Sequence, residues 1–156
     1  FRVTMNTPGA VATGLDARRT SFLVKAAALP GRTMGEIAIP FRGRNLYIVG
    51  DSEFETWETT IINDTDFNVR NAMERWQNAM NDTVTNTGLI NVADYQADLI
   101  VEQLDRDDTV LKSYILRGCF PQVVAPIELG FETTNAIEEF GVTWRYHHFE
   151  ASAVNF

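Results

Sequence analysis

The sequence predicts a mainly β fold: a small β-barrel or sandwich of about six strands with one flanking α-helix at about residues 66–80. Three observations predict this fold. Residues 95–118 contain two alternating segments around an aspartate-rich turn, as in a β-hairpin. Residues 137–149 alternate apolar and polar side chains, which is typical of a strand with one buried face. A single stretch, residues 69–80, has apolar side chains at helical spacing.

The N-terminal third is predicted to be poor in regular structure. Residues 1–20 contain proline and glycine without any sustained period, and they predict an irregular arm. Residues 21–156 are predicted to form a single β domain without an internal repeat. Within it, residues 21–27 and 44–49 predict two strands. Because glycines and prolines interrupt the region around them, we expect a long irregular loop at about residues 30–53.

The middle of the chain predicts a strand followed by the helix. Residues 54–62 alternate with large side chains on both faces, as in a strand packed on two sides. The helix follows a polar turn, in which Asp64 or Asp66 is expected to cap its free N–H groups. Its apolar stripe is expected to face the sheet and close the core. The stripe consists of Val69, Ala72, Met73, Trp76, Ala79 and Met80.

The C-terminal half predicts the best-defined strands. Residues 95–104 and 109–118 are expected to pair across a turn at residues 105–108. The last long strand, residues 137–149, is expected to bury one face and expose the other. Its buried face contains Phe140, Val142, Trp144 and Tyr146.

Composition excludes several function classes. The 156 residues include 21 Asp and Glu against 13 Lys and Arg, giving a net charge of −8. That balance argues against tight binding to a nucleic-acid backbone. No stretch reaches the roughly 20 apolar residues of a transmembrane helix. Cys119 is the only cysteine, so an intrachain disulfide and a cysteine zinc cluster are excluded. Packing is its expected role, and a bond to another subunit is the alternative.

The residues that carry chemistry form no recognisable motif. Catalytic, cofactor-binding and metal sites are all predicted to be absent. His147 and His148 are adjacent on a predicted strand, so their side chains are expected to diverge. Asp105, Asp107 and Asp108 lack the glycine and distal glutamate of a calcium loop, and turn residues are the simpler interpretation. Arg42-Gly43-Arg44 is a small basic patch, too small to predict nucleic-acid binding.

Several segments, in order, carry a resemblance that covers roughly residues 21–150. In the first half they are Lys25–Pro30, Ile37–Phe41, Ile48–Asp51, Phe54–Trp57 and Ile62–Asp64 leading to Trp76. In the second half they are Gly118–Pro121, Pro126–Leu129, Ile137–Phe140 and Val142–Trp144. Together these segments resemble the tail tube protein of contractile-tailed bacteriophages, a family related to the tube proteins of secretion systems.

The resemblance implies a structural virion protein. Members of this family form hexameric rings that stack into the hollow inner tube of the tail, which conducts phage DNA and is driven through the host envelope when the sheath contracts. The implied partners are other copies of the chain, the tail sheath protein, the baseplate tube-initiator, the tape-measure and tail terminator proteins, and duplex DNA that passes without specific binding. No cofactor, enzyme activity or stable membrane association is implied. The implied location is the virion tail, after assembly in the host cytoplasm.

Two sets of residues are expected to matter for such a tube. An acidic wall repels DNA, and candidates for the lumen are Asp98, Glu102, Glu138 and Glu139. The long loop at 30–53 is expected to reach the next ring and set the stacking, since long loops are usually functional. Its candidate contact residues are Gly31, Arg32, Met34, Glu36, Arg42 and Arg44.

Two other interpretations compete. One is a baseplate tube-initiator, or the tube subunit of a phage-derived contractile injection device such as a bacteriocin or secretion system. The other is an unrelated small-ligand barrel or enzyme, which would need a closed pocket with convergent polar groups. The sequence offers no residues for such a pocket.

Overall fold

A computed structural model describes residues 1–132 and 136–156. Its strands are mostly antiparallel neighbours, and the predicted mainly β fold is confirmed. The described residues form nine strands, where the sequence predicted about six. The elements are β1 (Arg2–Met5), α1 (Ala17–Leu23), β2 (Val24–Ala27), β3 (Arg32–Phe41), β4 (Arg44–Phe54), β5 (Trp57–Ile62), α2 (Asn68–Met80), α3 (Val92–Tyr95), β6 (Ala97–Leu104), β7 (Val110–Val124), β8 (Glu139–Arg145) and β9 (His148–Ala151).

Seven strands form one sheet in the order β1-β6-β7-β8-β5-β2, with β9 paired to β7 as well. Strand β7 is the common member: its first half pairs with β6 and β9, and its second half pairs with β8. The two halves meet at Gly118, where φ is +66°. A Cβ there would lie 2.4 Å from the His147 ring, so only glycine fits this corner.

The predicted C-terminal hairpin is confirmed, and the last strand is divided. Strands β6 and β7 pair antiparallel from Ala97 to Leu104, and the aspartates form the turn between them. The predicted last strand becomes β8 and β9, because the chain bends after Arg145 and then pairs with β7. Its predicted inner face is confirmed, since Phe140, Val142, Trp144 and Tyr146 are all buried.

Helix α2 packs on the sheet as predicted, but its cap differs. Four residues of the predicted stripe, Val69, Ala72, Met73 and Trp76, are buried. The prediction that Asp64 or Asp66 caps the helix is wrong. Phe67 occupies the N-cap with φ +51° and makes no side-chain cap. Both aspartates instead bind the Arg19 guanidinium of α1, which the sequence order does not reveal.

The N-terminal arm is more regular than predicted. Strand β1 pairs with β6 and buries Val3 and Met5, and α1 begins at Ala17. The prediction of an irregular arm over residues 1–20 is therefore wrong at both ends of that range. The predicted strand at 21–27 begins only at Val24, because α1 continues through Leu23. Asp16 caps that helix by accepting hydrogen bonds from the two backbone N–H groups of Arg18 and Arg19 at 3.0 and 3.4 Å.

The irregular loop predicted at about residues 30–53 is the largest correction. The chain there forms two long antiparallel strands, β3 and β4, that pair from Arg32↔Phe54 to Phe41↔Arg44. Pro40 is tolerated because its position in the strand needs no backbone donor. The pair next to the turn, Phe41↔Arg44, is the hydrogen-bonded one. In the following pair, Pro40↔Asn45, the backbone nitrogens point away from the partner strand. A glycine-rich and proline-containing sequence thus forms a strand pair where breakers suggested a loop.

Candidate assembly surfaces

The β3–β4 hairpin is a sheet of its own. Among the described residues its two strands pair only with each other, and the seven-stranded sheet does not include them. Its two-residue turn is Arg42-Gly43, with φ +47° and +80°, as a type I′ turn requires. A strand of 10 residues is about 34 Å long. Isolated two-stranded hairpins are marginal in water, so this one needs a partner surface.

One face of the hairpin is apolar. The register places Ile37 opposite Ile48 and Ile39 opposite Leu46, and Phe41 follows at the turn. Opposed residues and alternate residues of a strand share a face, so these five side chains lie together. All five are exposed, from 41% at Ile39 to 52% at Ile37. We call Ile37, Ile39, Phe41, Leu46 and Ile48 the apolar hairpin face.

A glycine-lined bulge separates the base of the hairpin from its apolar part. Met34 pairs with Ser52 and Glu36 with Val49, so Gly35 faces two residues of β4. A Cβ on Gly35 would lie 3.0 Å from the Asp51 carbonyl oxygen, and one on Gly50 would lie 3.2 Å from the Gly35 carbonyl carbon. Glycine on both strands therefore permits the close backbone contact of the bulge.

The predicted contact residues are spread along this hairpin. Gly31 precedes β3, and Arg32 begins it and lies over the Phe54 ring at 5.6 Å. Met34 and Glu36 flank the bulge, while Arg42 and Arg44 lie at the turn. The Arg42 guanidinium lies over the Phe41 ring at 5.4 Å, a cation–π distance. The structure thus places two arginines at the tip, beside the end of the apolar hairpin face.

The four lumen candidates lie in two places, and three of them are ion-paired. Asp98 and Glu102 share one face of β6. Asp98 accepts hydrogen bonds from Arg117 at 2.6 Å and from the Gly118 N–H at 3.2 Å, and Glu102 contacts Arg2 at 2.6 Å. The third ion-paired candidate, Glu139 at the start of β8, contacts Lys25 at 2.7 Å.

Arg117 is the centre of the largest of these ion-pair groups. Its guanidinium bridges Glu150 at 3.0 Å and Asp98 at 2.6 Å. The hydrogen bond from Arg117 holds the pKa of Glu150 below its ordinary value, and the Glu150 and Asp98 carboxylates raise the pKa of Arg117. The sequence could not reveal the pairing, because the three residues lie on β6, β7 and β9.

A second exposed apolar surface, which the sequence analysis missed, lies in the segment that connects β7 to β8. A groove there is lined by residues 126–131 and 136–139. Leu129 is 88% exposed and Ile137 is 68% exposed, and Phe131 between them is fully exposed. The sequence signal was present: residues 126–139 contain four glutamates and no lysine or arginine. We call the described residues 126–132 and 136–139 the acidic segment; residues 133–135 lie outside the described residues and are not part of it.

The two histidines have polar neighbours, and the single cysteine is enclosed by the core. His147 is hydrogen-bonded to Gln96 at 2.9 Å, and His148 lies 3.7 Å from Glu150. Cys119 is buried, and burial raises the pKa of its thiol to about 12. Among the described residues, no group of three or more His, Cys, Asp or Glu side chains could hold a metal ion. No helix in the described part of the chain is both long and apolar enough to cross a membrane.

Comparisons with known proteins agree on one family. The family model described as phage tail tube protein matches residues 1–152. The tail tube protein of Serratia phage KSP90 is 32% identical over 146 residues, covering 94% of this chain and 82% of the relative. The tail tube protein gp19 of Enterobacteria phage T4 is 30% identical over 131 residues, covering 83% of this chain and 80% of the relative.

Solved structures share the fold at low identity. A sheath/tube terminator structure of the PVC extracellular contractile injection system has a TM-score of 0.62 at 13% identity, covering 83% of this chain and 85% of that one. The Hcp1 protein of E. coli EAEC 042 has a TM-score of 0.52 at 11% identity, covering 99% of this chain and 93% of that one. The family model matches residues 1–152 of the 156 in this chain, which shows that the chain belongs to the phage tail tube protein family.

Proposed function

We propose that the chain is the structural subunit of a hollow tail tube, in which hexameric rings stack and duplex DNA passes along the lumen. The observation that carries the proposal is the apolar hairpin face, which stands outside the core and has no partner among the described residues. Fully burying an exposed Ile, Leu or Phe side chain contributes about 1.5–3 kcal/mol, and each of these five half-exposed side chains would contribute roughly half of that against a neighbouring ring. The hairpin therefore supplies the stacking contact between rings.

Ring closure relies on the strands that end the sheet. Among the described residues, β1 and β2 each have one neighbour, and β9 pairs only with β7. Their outer N–H and C=O groups are available to pair with a neighbouring subunit. A head-to-tail contact with the right rotation closes into a ring and leaves no unsatisfied edge. This arrangement supports a continuous inner barrel made from the sheets of six copies.

Charge supports passage of DNA without binding. Six copies at a net charge of −8 give about −48 per ring. Asp98, Glu102, Glu138 and Glu139 remain the proposed lumen residues. Ion pairs to Arg2, Lys25 and Arg117 neutralise three of them in part, so the proposed wall presents carboxylates whose cations lie alongside. Such a wall gives a sliding polyanion no continuous basic track.

The proposed partners follow from a tube inside a contractile sheath. They are the tail sheath protein along its outside, the baseplate tube-initiator and the terminator at its ends, and the tape-measure protein during assembly in the host cytoplasm. The role is structural and non-catalytic, without a cofactor or stable membrane association. Sheath contraction would then drive the tube through the host envelope, as part of the virion tail.

A second candidate is a tube-initiator or the tube of a phage-derived contractile injection device. The observation that favours it is the shared fold with the PVC terminator structure. Electron microscopy of the purified chain distinguishes them, because a tube subunit forms many identical stacked rings and an initiator stops at one.

The hairpin offers a direct test of the main proposal. Deleting Glu36–Val49 joins Gly35 to Gly50 and leaves three residues between the paired Met34 and Ser52, a length at which glycine-containing loops commonly connect a hairpin. No buried core residue lies in the deleted range, so the variant is expected to keep its melting temperature within a few degrees. Negative-stain microscopy should show long tubes for the parent chain and no stacks for the variant. Tubes of normal length from the variant would contradict the proposed stacking role.

A further inference from the structure

The hairpin tip and the acidic segment have matching chemistry. We propose that the tip of one copy docks on the acidic segment of a second copy, with Arg42 and Arg44 paired to Glu128 and Glu132. The inference rests on the proposed tube and names the surface that receives the hairpin. The groove lined by the acidic segment is therefore occupied by another copy of this chain.

The tip combines an apolar end with two available cations. Phe41 ends the apolar hairpin face, Arg42 lies over its ring, and Arg44 is its cross-strand partner. Neither arginine forms an ion pair with any described residue. A guanidinium that already covers an aromatic ring is held in place and loses little freedom on meeting a carboxylate.

The acidic segment offers the complement. Among the described residues, the carboxylates of Glu128 and Glu132 have no ion-pair partner, whereas Glu139 is already bound by Lys25. The exposed side chains of Leu129 and Phe131 lie between these two glutamates along the chain. An apolar surface with carboxylates at its margin matches an apolar face with arginines at its margin.

Other exposed acidic sites fit less well. The β6–β7 turn carries three aspartates, but Arg106 lies among them and Asp107 accepts a hydrogen bond from the Thr109 N–H. Glu53 and Glu36 belong to the hairpin itself. Because every copy has one tip and one acidic segment, a head-to-tail repeat satisfies all of them along a stack.

Charge reversal tests the pairing. R42E/R44E and E128R/E132R are each expected to raise the protein concentration needed for tube formation by about tenfold. The variant that combines all four substitutions should form tubes near the parental concentration, because the reversed charges attract again. R106E is the matched control, an exposed arginine in a turn outside both surfaces, and should leave assembly unchanged. Circular dichroism and the melting temperature of each variant check that it folds.

A cross-link gives a second readout. Arg42→Cys combined with Phe131→Cys should form disulfide-linked ladders on mild oxidation, since the native Cys119 is buried. The control variant combines Arg42→Cys with Thr85→Cys, an exposed position outside the acidic segment, and should form no ladder. Tubes that form at the parental concentration in E128R/E132R would overturn the docking but leave the tube itself intact. If the parent chain forms no tubes, the proposed function is overturned. In that case, the absence of a disulfide-linked ladder in solution would overturn the docking as well.

Discussion

The Arg117 group shows how single side chains tie three strands together. One guanidinium contacts Asp98 on β6 and Glu150 on β9 from its own position on β7. The side chains are partly exposed, so solvent weakens each pair. By bridging these two carboxylates, the guanidinium nevertheless supports the register of β9 against β7, in which Arg117 lies opposite His148.

This group predicts a stability change in acid. Because Arg117 lowers the folded-state pKa of Glu150 from 4.5, the charged carboxylate stabilises the native state above that pH, and this contribution is lost as pH falls through the lowered pKa. E150Q should therefore melt below the parent at pH 7, and the difference should shrink as the pH drops below 4.5. Scanning calorimetry across pH measures it. E55Q, which removes an exposed carboxylate without an ion pair in the described residues, should show a smaller difference at pH 7.

At the scale of elements, helix α2 is attached by an aromatic contact. The Trp76 ring lies edge-on to the Trp144 ring at a centroid distance of 5.6 Å. Its indole N–H also donates to the Tyr95 carbonyl at 2.7 Å. A buried ring with a satisfied N–H joins packing and polarity in one residue. Arg70 adds a second attachment, donating to the Ala125 carbonyl at 2.5 Å.

Truncating Trp76 tests how much the helix contributes. W76A should lower the free energy of unfolding by about 3–5 kcal/mol, because the cavity and the unpaired Tyr95 carbonyl add to the lost contacts. Chemical denaturation measures the change. N71A, on the exposed side of the same helix, should stay within about 0.5 kcal/mol of the parent. A loss under about 1 kcal/mol for W76A would show that α2 is not part of the core.

Periodicity in the sequence predicted the elements that bury one face in the core. It did not predict the hairpin, which buries neither face in the core of the chain. The spacing from Val69 to Trp76 and the alternation from Phe140 to Tyr146 record burial in the core, and both predictions are confirmed. In the hairpin the pattern predicted a strand only at residues 44–49, within β4, because residues 31–43 are exposed and their sequence is not constrained by burial in the core. Gly35 and Pro40 therefore suggested a loop, although a bulge and an outward N–H position accommodate them.

The candidate surfaces were predictable to a similar extent. The sequence predicted residues 30–53, with Arg42 and Arg44, as a contact loop, and this role stays a prediction; that the segment is a hairpin with Phe41 opposite Arg44 required the structure. It predicted an acidic lumen but not the cations Arg2, Lys25 and Arg117, which come from distant positions in the chain. Local patterns carry burial and turns, while partners across a sheet depend on the topology.

At the scale of the whole molecule, the proposed lumen makes a prediction about DNA. E102K replaces a carboxylate of the proposed wall by a cation next to Arg2, so each ring would present a basic patch repeated around its axis. Tubes of E102K should retain short fluorescent duplexes at low salt and release them as salt rises, and parental tubes should retain none. E74K breaks an ion pair on α2 in the same way and is the control. Equal retention by the two variants would place Glu102 outside the lumen.

The buried state of Cys119 has a consequence for any assembly of this chain. It is the only thiol in the 156 residues, and its Sγ donates a hydrogen bond to the Leu116 carbonyl inside the core. With a pKa raised to about 12, almost none of it is thiolate at neutral pH. In the proposed tube, copies of the chain would then be joined without disulfide links, so reductants and oxidants should leave the length and number of assembled particles unchanged, whereas urea should dissolve them.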